Sequence, residues 1–248
     1  MFSNGHGVYV RTVAPDVPDP ASDVQLDRRQ RKSRAALQSA FLQLLDQQLY
    51  ATITVDELVA VADVARGTFY AHYHDKDALL AAVVRQSLQE LTDRVEPIAA
   101  LPSGFYDGRA LLQVVWHALA HPALYRTVLS GAGGAEPRRH MVTHLSSAVE
   151  RTFARTTTAL GGTPVLPLEV AARGLVAQLL ACVEDLLEAS LASPGGQLDD
   201  ETVLESVTAV TTFVARGLTW ALGLDDGRLR DETAQLPSYL GLRDRRRT

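Results

Sequence analysis

From Arg28 onward the chain is organised by a helical spacing of apolar residues. Leu37, Ala40, Phe41, Leu44 and Leu45 recur at three- and four-residue intervals, which puts them on one face of a helix that ends near Gln48. Thr54 then precedes Val55, Leu58, Val59 and Ala62, with Glu57 three residues on. That arrangement has the form of a capping box and starts a second helix at about Val55. Ala62, Asp63 and Val64 make a turn, and Ala65 to Tyr73 gives about two and a half helical turns before His74 and Asp75. Within this third helix Phe69 and Tyr73 face the core with Val64, while Gly67 and Ala71 lie opposite, flanked by Arg66 and Tyr70. Asp75 caps a longer helix whose apolar positions Leu79, Leu80, Val83, Val84, Leu88 and Leu91 run towards Pro97.

Beyond Pro97 the same period continues, punctuated by loops at LPSGFYDG (101–108), SGAGGAEP (130–137), GGTPVLP (161–167) and SPGGQLDD (193–200). Helices are predicted at about 109–120, 122–130, 137–159, 167–192 and 200–222, with no strand-like alternation between them, so the fold class is all-α. The last two helices are apolar over wide arcs. Leu175, Leu179, Val183 and Leu186 form one stripe, and Val207, Val210, Val214 and Leu218 form another. Two adjacent stripes of this kind suit the interface of a homodimer. The alternative is that they pack the chain's own core.

Residues 1–24 contain Pro15, Pro18 and Pro20 among Gly, Asp and Ser and follow neither period, which predicts a disordered tail. The expected domains are a helix-turn-helix unit over 25–76, a larger helical unit over 77–225 and a second tail over 226–248. No apolar run reaches the roughly 20 residues of a membrane span, and no secretory leader is apparent, so a cytoplasmic protein is expected. The lone cysteine, Cys182, excludes an internal disulfide and a cysteine-built zinc site, and it reads as a small buried apolar residue.

A net charge of −5 is unusual for a protein that meets nucleic acid. The distribution alters that picture, because Arg28, Arg29, Arg31, Lys32 and Arg34 form a run without an acid immediately before the three short helices. Affinity for a polyanion depends on where cations lie more than on their sum. A helix of recognition-helix length beside a basic arm points to double-stranded DNA.

On these residues the chain resembles the TetR family of transcriptional regulators, whose amino-terminal domain has three helices and whose remaining helices form a dimerising, effector-binding domain. The resemblance rests on the basic start with Leu37, Ala40 and Phe41, on ITVDELVAVA, and above all on ARGTFYAHYHDKDALL. Past Leu91 it extends only to helix number and length. Two positions depart from the family pattern: Asp63 stands where Gly is usual in the turn, and Ala65 stands where Ser is usual. Asp tolerates a left-handed turn but adds a negative charge, and Ala65 removes a hydroxyl cap worth about 1 kcal/mol.

The resemblance implies a set of DNA contacts. Thr54, Thr68 and Tyr70 would donate hydroxyl hydrogen bonds to phosphates, and Lys76 would add a cation at a helix start. Arg66 would read a guanine edge, Gly67 would let the backbone approach, and Ala71 would touch a thymine methyl. His72 would meet backbone or base, or remain solvated at the core edge. Arg28, Arg29 and Arg31 would enter the minor groove or meet phosphates as the arm orders.

The resemblance also implies a repressor released from a palindromic operator by a small-molecule effector of unknown identity. Trp116, His117, Tyr125, His144, Phe153 and Gln178, aromatic or polar groups on otherwise apolar helices, are the expected effector contacts. Two rival functions remain. One is a helical dimer that no longer binds DNA and works through protein contacts, which Asp63, Ala65 and the acidic balance favour. The other is a helical enzyme, against which stands the lack of a nucleophile with its base or a phosphate-cradling loop. His140 and His144, four apart, have the spacing of a metal pair but no third ligand in register, so neither metal nor cofactor is expected.

Overall fold

The computed structural model describes residues 28–99, 108–193, 196 and 198–223. The predicted tails at 1–24 and 226–248 lie outside the described residues. Helices α1 (Arg28–Gln47), α2 (Val55–Val61), α3 (Arg66–His72) and the start of α4 (Lys76–Ala99) make the amino-terminal unit. The rest of α4 continues into a bundle with α5 (Arg109–Ala120), α6 (Pro122–Leu129), α7 (Ala135–Leu160), α8 (Leu168–Ala192) and α9 (Asp200–Ala221). The described residues form no strands.

Each short helix is bounded by local chemistry. Thr54 caps α2 with a complete capping box: the Glu57 N–H donates to Thr54 Oγ1 at 3.3 Å, and the Thr54 N–H donates to the Glu57 carboxylate at 2.8 Å. Asp63 takes the left-handed conformation, φ 51°, which lets α3 turn back across α2. Asp is among the few residues other than Gly that accept it readily. Ala65 occupies the cap of α3 with extended backbone and no side-chain bond. Asp75 Oδ1 accepts from the Ala78 N–H at 2.7 Å at the start of α4. One element escaped the apolar pattern, a single 3₁₀ turn at Tyr50–Thr52 between α1 and α2.

The stripe Leu37, Ala40, Phe41, Leu44 and Leu45 faces inward from α1. It meets Ile53, Leu58, Phe69, Leu79 and Leu80, all of them buried. Burying residues of this size contributes about 1.5–3 kcal/mol each, which is what holds helices of only seven residues that would be marginal alone. The same buried cluster continues without a gap along α4 into α5, α6, α7 and α8. In the bundle α7 packs on α8 and α4, and α5 and α9 lie against α8. A smaller second core forms around Phe153, Ala171, Ala172, Ala221 and Leu222.

Candidate nucleic-acid interface and effector cavity

Helix α3 is anchored by Phe69, which has no exposed surface, and by Tyr73 behind it. Those anchors leave Arg66, Gly67, Tyr70 and Ala71 facing outward. A side chain built on Gly67 would meet open space, so the backbone there is accessible at the helix surface. An open groove between α3 and the start of α1 brings together Arg29, Ser33, Asp63, Gly67, Thr68, Ala71 and His72. Five of the residues predicted for DNA, Arg29, Gly67, Thr68, Ala71 and His72, therefore share one concave surface, with Arg66 and Tyr70 next to it on the same helix.

Several of these groups have partners that the sequence did not disclose. The Arg66 guanidinium donates to the Asp56 carboxylate of α2 and, at 3.3 Å, to the Tyr70 hydroxyl. Tyr70 and then Asp56 hold its pKa above the ordinary arginine value. His72 Nε2 shares a hydrogen bond with Ser33 Oγ at 2.8 Å and so ties α3 to α1. Partial burial, followed by the charge of Arg34, lowers the His72 pKa and favours the neutral ring. Thr54 Oγ1 donates to the Glu57 carboxylate at 2.8 Å, so this hydroxyl is engaged within its own cap. Bonds from the Thr54 backbone and then its side chain lower the Glu57 pKa.

Two expectations for the basic residues need correction. Arg28, Arg29 and Arg31 belong to the first turns of α1, exposed on a helix, and not to an extended arm. Lys76 is not directed at solvent: its ammonium group donates to the carbonyls of Tyr50, Ala51 and Ile53 at 2.9, 3.3 and 3.0 Å and stands 4.5 Å from the centre of the Tyr50 ring. The Tyr50 hydroxyl in turn donates to Asp77. These contacts close the exposed carbonyls of the 3₁₀ turn and pin it to the start of α4.

The bundle encloses a cavity of about 110 Å³ between α4, α5, α7, α8 and α9. Leu91, Val95, Leu111, Val114, Leu145, Val149, Val176 and Val214 supply most of its wall, with Thr92, Thr152 and Thr211 among them and Glu96, Arg151 and Arg155 beside these. None of the six expected effector contacts lines it. His117 and Tyr125 are buried against each other at the α5–α6 corner, 2.9 Å from Nδ1 to the hydroxyl. Phe153 is in the second core, Gln178 is exposed on α8, and Trp116 packs at the edge of the main core. His144 reaches the cavity only through its bond to Thr92 Oγ1 at 2.9 Å. His140 and His144 lie ring to ring at 6.2 Å, and among the described residues no group of three metal-binding side chains gathers.

The stripes expected at a dimer interface are also reassigned. Leu179, Val183, Leu186 and Val207 are buried within the single chain. Leu175, Val210 and Val214 are half-buried, and Leu175, Leu179 and Val214 line the cavity. The side chain of Leu218 lies outside the described residues. The exposed apolar surface of α9 is a different stripe, Ala209, Phe213, Gly217 and Trp220, with Phe213 73% and Trp220 61% exposed. On the neighbouring helix α8 the exposed positions include Gly174, Ala177 and Ala181, all small.

Residues 39–83, which span α1 to the first part of α4, match the family model described as bacterial regulatory proteins, tetR family. This stretch is thus similar to the tetR-family domain. The chain is similar to an uncharacterized HTH-type transcriptional regulator, YxbF, of Bacillus subtilis (strain 168), with 40% identity over 82 residues. That match covers 33% of this chain and 21% of the relative's length. Among solved structures, the fatty acid degradation regulator FadR of Bacillus halodurans superposes with a TM-score of 0.60 at 13% identity, over 73% of this chain and 94% of that one. The complex of RolR with resorcinol gives a TM-score of 0.56 at 15% identity, over 85% of this chain and 97% of that one. At such identities the two superpositions show the fold alone. Among the described residues no helix is long and apolar enough to cross a membrane.

Proposed function

We propose that the protein is a dimeric, DNA-binding transcriptional regulator, a repressor that leaves a palindromic operator when a small molecule enters the α4–α9 cavity. The observation that carries this reading is the outward face of α3. Arg66, Gly67, Tyr70 and Ala71 stand on a short helix whose position is fixed by the buried Phe69 and Tyr73. A helix presented in this way fits a major groove, with Arg66 as the base reader and Thr68, Tyr70, Arg28, Arg29 and Arg31 towards phosphates. Thr54 and His72 join them by exchanging their internal bonds for phosphate contacts. Lys76 contributes through the placement of α4.

The exposed Phe213 and Trp220 support pairing of two copies through α8 and α9. A monomer exposes such large aromatics at a cost that a partner removes. Two recognition helices must then stand about 34–36 Å apart to read successive major grooves. An apolar cavity reached by α4 supplies the effector's grip, since ligand binding shifts the population of whichever spacing it favours. RolR, of the same fold, is known with resorcinol bound.

Selection from a random duplex library at two salt concentrations, with the mass of the bound species determined, tests the reading. It predicts a palindrome bound by a dimer. If no sequence is enriched, the protein is instead a helical dimer without DNA binding, a reading that the acidic Asp56 and Asp63 on the α2–α3 face would favour.

A further inference from the structure

The cavity joins an apolar wall to a patch of unequal charge. Thr92, Thr152 and Thr211 are its hydroxyl groups, and each donates to a carbonyl of its own helix: Leu88 at 2.8 Å, Ala148 at 3.1 Å and Val207 at 2.7 Å. With those protons engaged, the apolar part of the wall offers no strong donor to a ligand. Its charged lining residues are Glu96 of α4 and Arg151 and Arg155 of α7. Arg151 and Arg155 are four apart and so share one face of α7. Arg155 stands 3.9 Å from Glu96, while among the described residues no carboxylate pairs with Arg151. Among the described residues this exposed patch therefore holds two guanidinium groups against one carboxylate, an excess of positive charge at the edge of a greasy chamber.

We propose that the effector is an anionic amphiphile, a carboxylic acid whose compact apolar body fills the cavity and whose carboxylate meets Arg151. This rests on the cavity being the effector site and names the class of molecule it takes. A planar guanidinium matches a carboxylate with two parallel hydrogen bonds, which no alcohol can reproduce. An ammonium group in the same place would face the surplus arginine. The volume of about 110 Å³ is below the roughly 150 Å³ of an apolar cavity that holds benzene, so the body is of the order of one small ring or a short acyl chain.

Calorimetric titration of the full chain with hexanoate, benzoate, 1-hexanol and hexylamine decides the matter without DNA. One of the acids is expected to bind roughly tenfold or more tightly than 1-hexanol, as a charge-assisted bond in place of a neutral contact requires, and hexylamine is expected not to bind. Arg151→Gln should reduce the acid to the level of the alcohol, Arg151→Lys should keep only the part of the preference that a single cation without the planar fork supplies, and Leu111→Trp should block every probe. Equal binding of acid and alcohol, absence of binding by both acids, or an acid affinity unchanged in Arg151→Gln would each overturn the proposal. Duplex binding measured on the same preparation separates the two readings. Failure there with a retained acid preference removes the regulator and keeps the ligand class, and the reverse result keeps the regulator and removes the acid.

Discussion

Helix α3 lacks the cap that α2 possesses, and replacing Ala65 by Ser should supply it. Ala65 already has the extended backbone of a cap residue, φ −68° and ψ 147°, so Ser needs no rearrangement. The Thr68 N–H is turned back to the Ala65 carbonyl at 2.8 Å, which brings the N–H groups of Gly67 and Thr68 within reach of a hydroxyl at position 65. A cap of this kind is worth about 1 kcal/mol, with a range of roughly 0.5–2. In a chain of 248 residues that corresponds to a rise in Tm of about 2–4 °C if unfolding is concerted. Hydrogen exchange of the α3 amides gives the local reading, slowing about fivefold for 1 kcal/mol where exchange proceeds through opening of the amino-terminal unit. Thr54→Ala is the internal control: it removes an existing capping box on a helix of equal length and should lose about the same amount. Ala65→Ser without effect, alongside a clear loss in Thr54→Ala, would refute the cap argument for α3.

Four further outcomes are expected. Asp56→Asn releases the Arg66 guanidinium from α2; on the proposed reading of Arg66 as the base reader, selection experiments should show a weaker preference at one base, without a fall in total affinity, because a negative charge leaves the same face. Lys76→Met opens three carbonyl bonds and should destabilise the amino-terminal unit by about 1.5–3 kcal/mol in urea unfolding; the salt slope of duplex binding should stay unchanged. Phe213→Glu should shift sedimentation from dimer to monomer. Burial first, then the charges of His121 and Arg94, takes the His117 pKa from 6.5 to about 4. Its contribution to stability is thus complete above pH 6.5 and lost as pH falls towards 4, with a slope of at most about 1.4 kcal/mol per pH unit. His117→Phe should flatten that part of the pH–stability curve.

The helices could be read from the sequence because their boundaries depend on neighbours. Apolar spacing, the Thr54–Glu57 box and the capacity of Asp63 for a left-handed turn all act within a few residues, and they bound α2 and α3 closely. What depends on distant partners was hidden. Arg66 and Asp56 are ten residues apart, and Lys76 closes carbonyls more than twenty residues upstream, so an ammonium read as free is engaged. The cavity eluded a search for aromatic and polar residues because aliphatic side chains, threonines and two arginines build it. Likewise, an arc of apolar residues on α8 and α9 wide enough for two surfaces does not say which part faces inward. The widest stripe went to the chain's own core, and a narrower one with Phe213 and Trp220 remained outside.

Helix α4 belongs to both halves of the molecule. At one end Leu79 and Leu80 are locked in the core beneath α3, and at the other Leu91, Val95 and Glu96 form the cavity wall. From Leu80 to Glu96 the helix covers roughly 24 Å at about 1.5 Å per residue, so a tilt of about 5° at one end displaces the other by some ~2 Å. Such a rod works as a lever arm. In the proposed dimer, two copies swinging in opposite senses would double the displacement between their α3 helices, a misfit that a rigid duplex would not follow. Swelling of a chamber by a molecule of a few carbon atoms can thus be magnified by leverage, with no helix unfolding and no new contact made at the DNA.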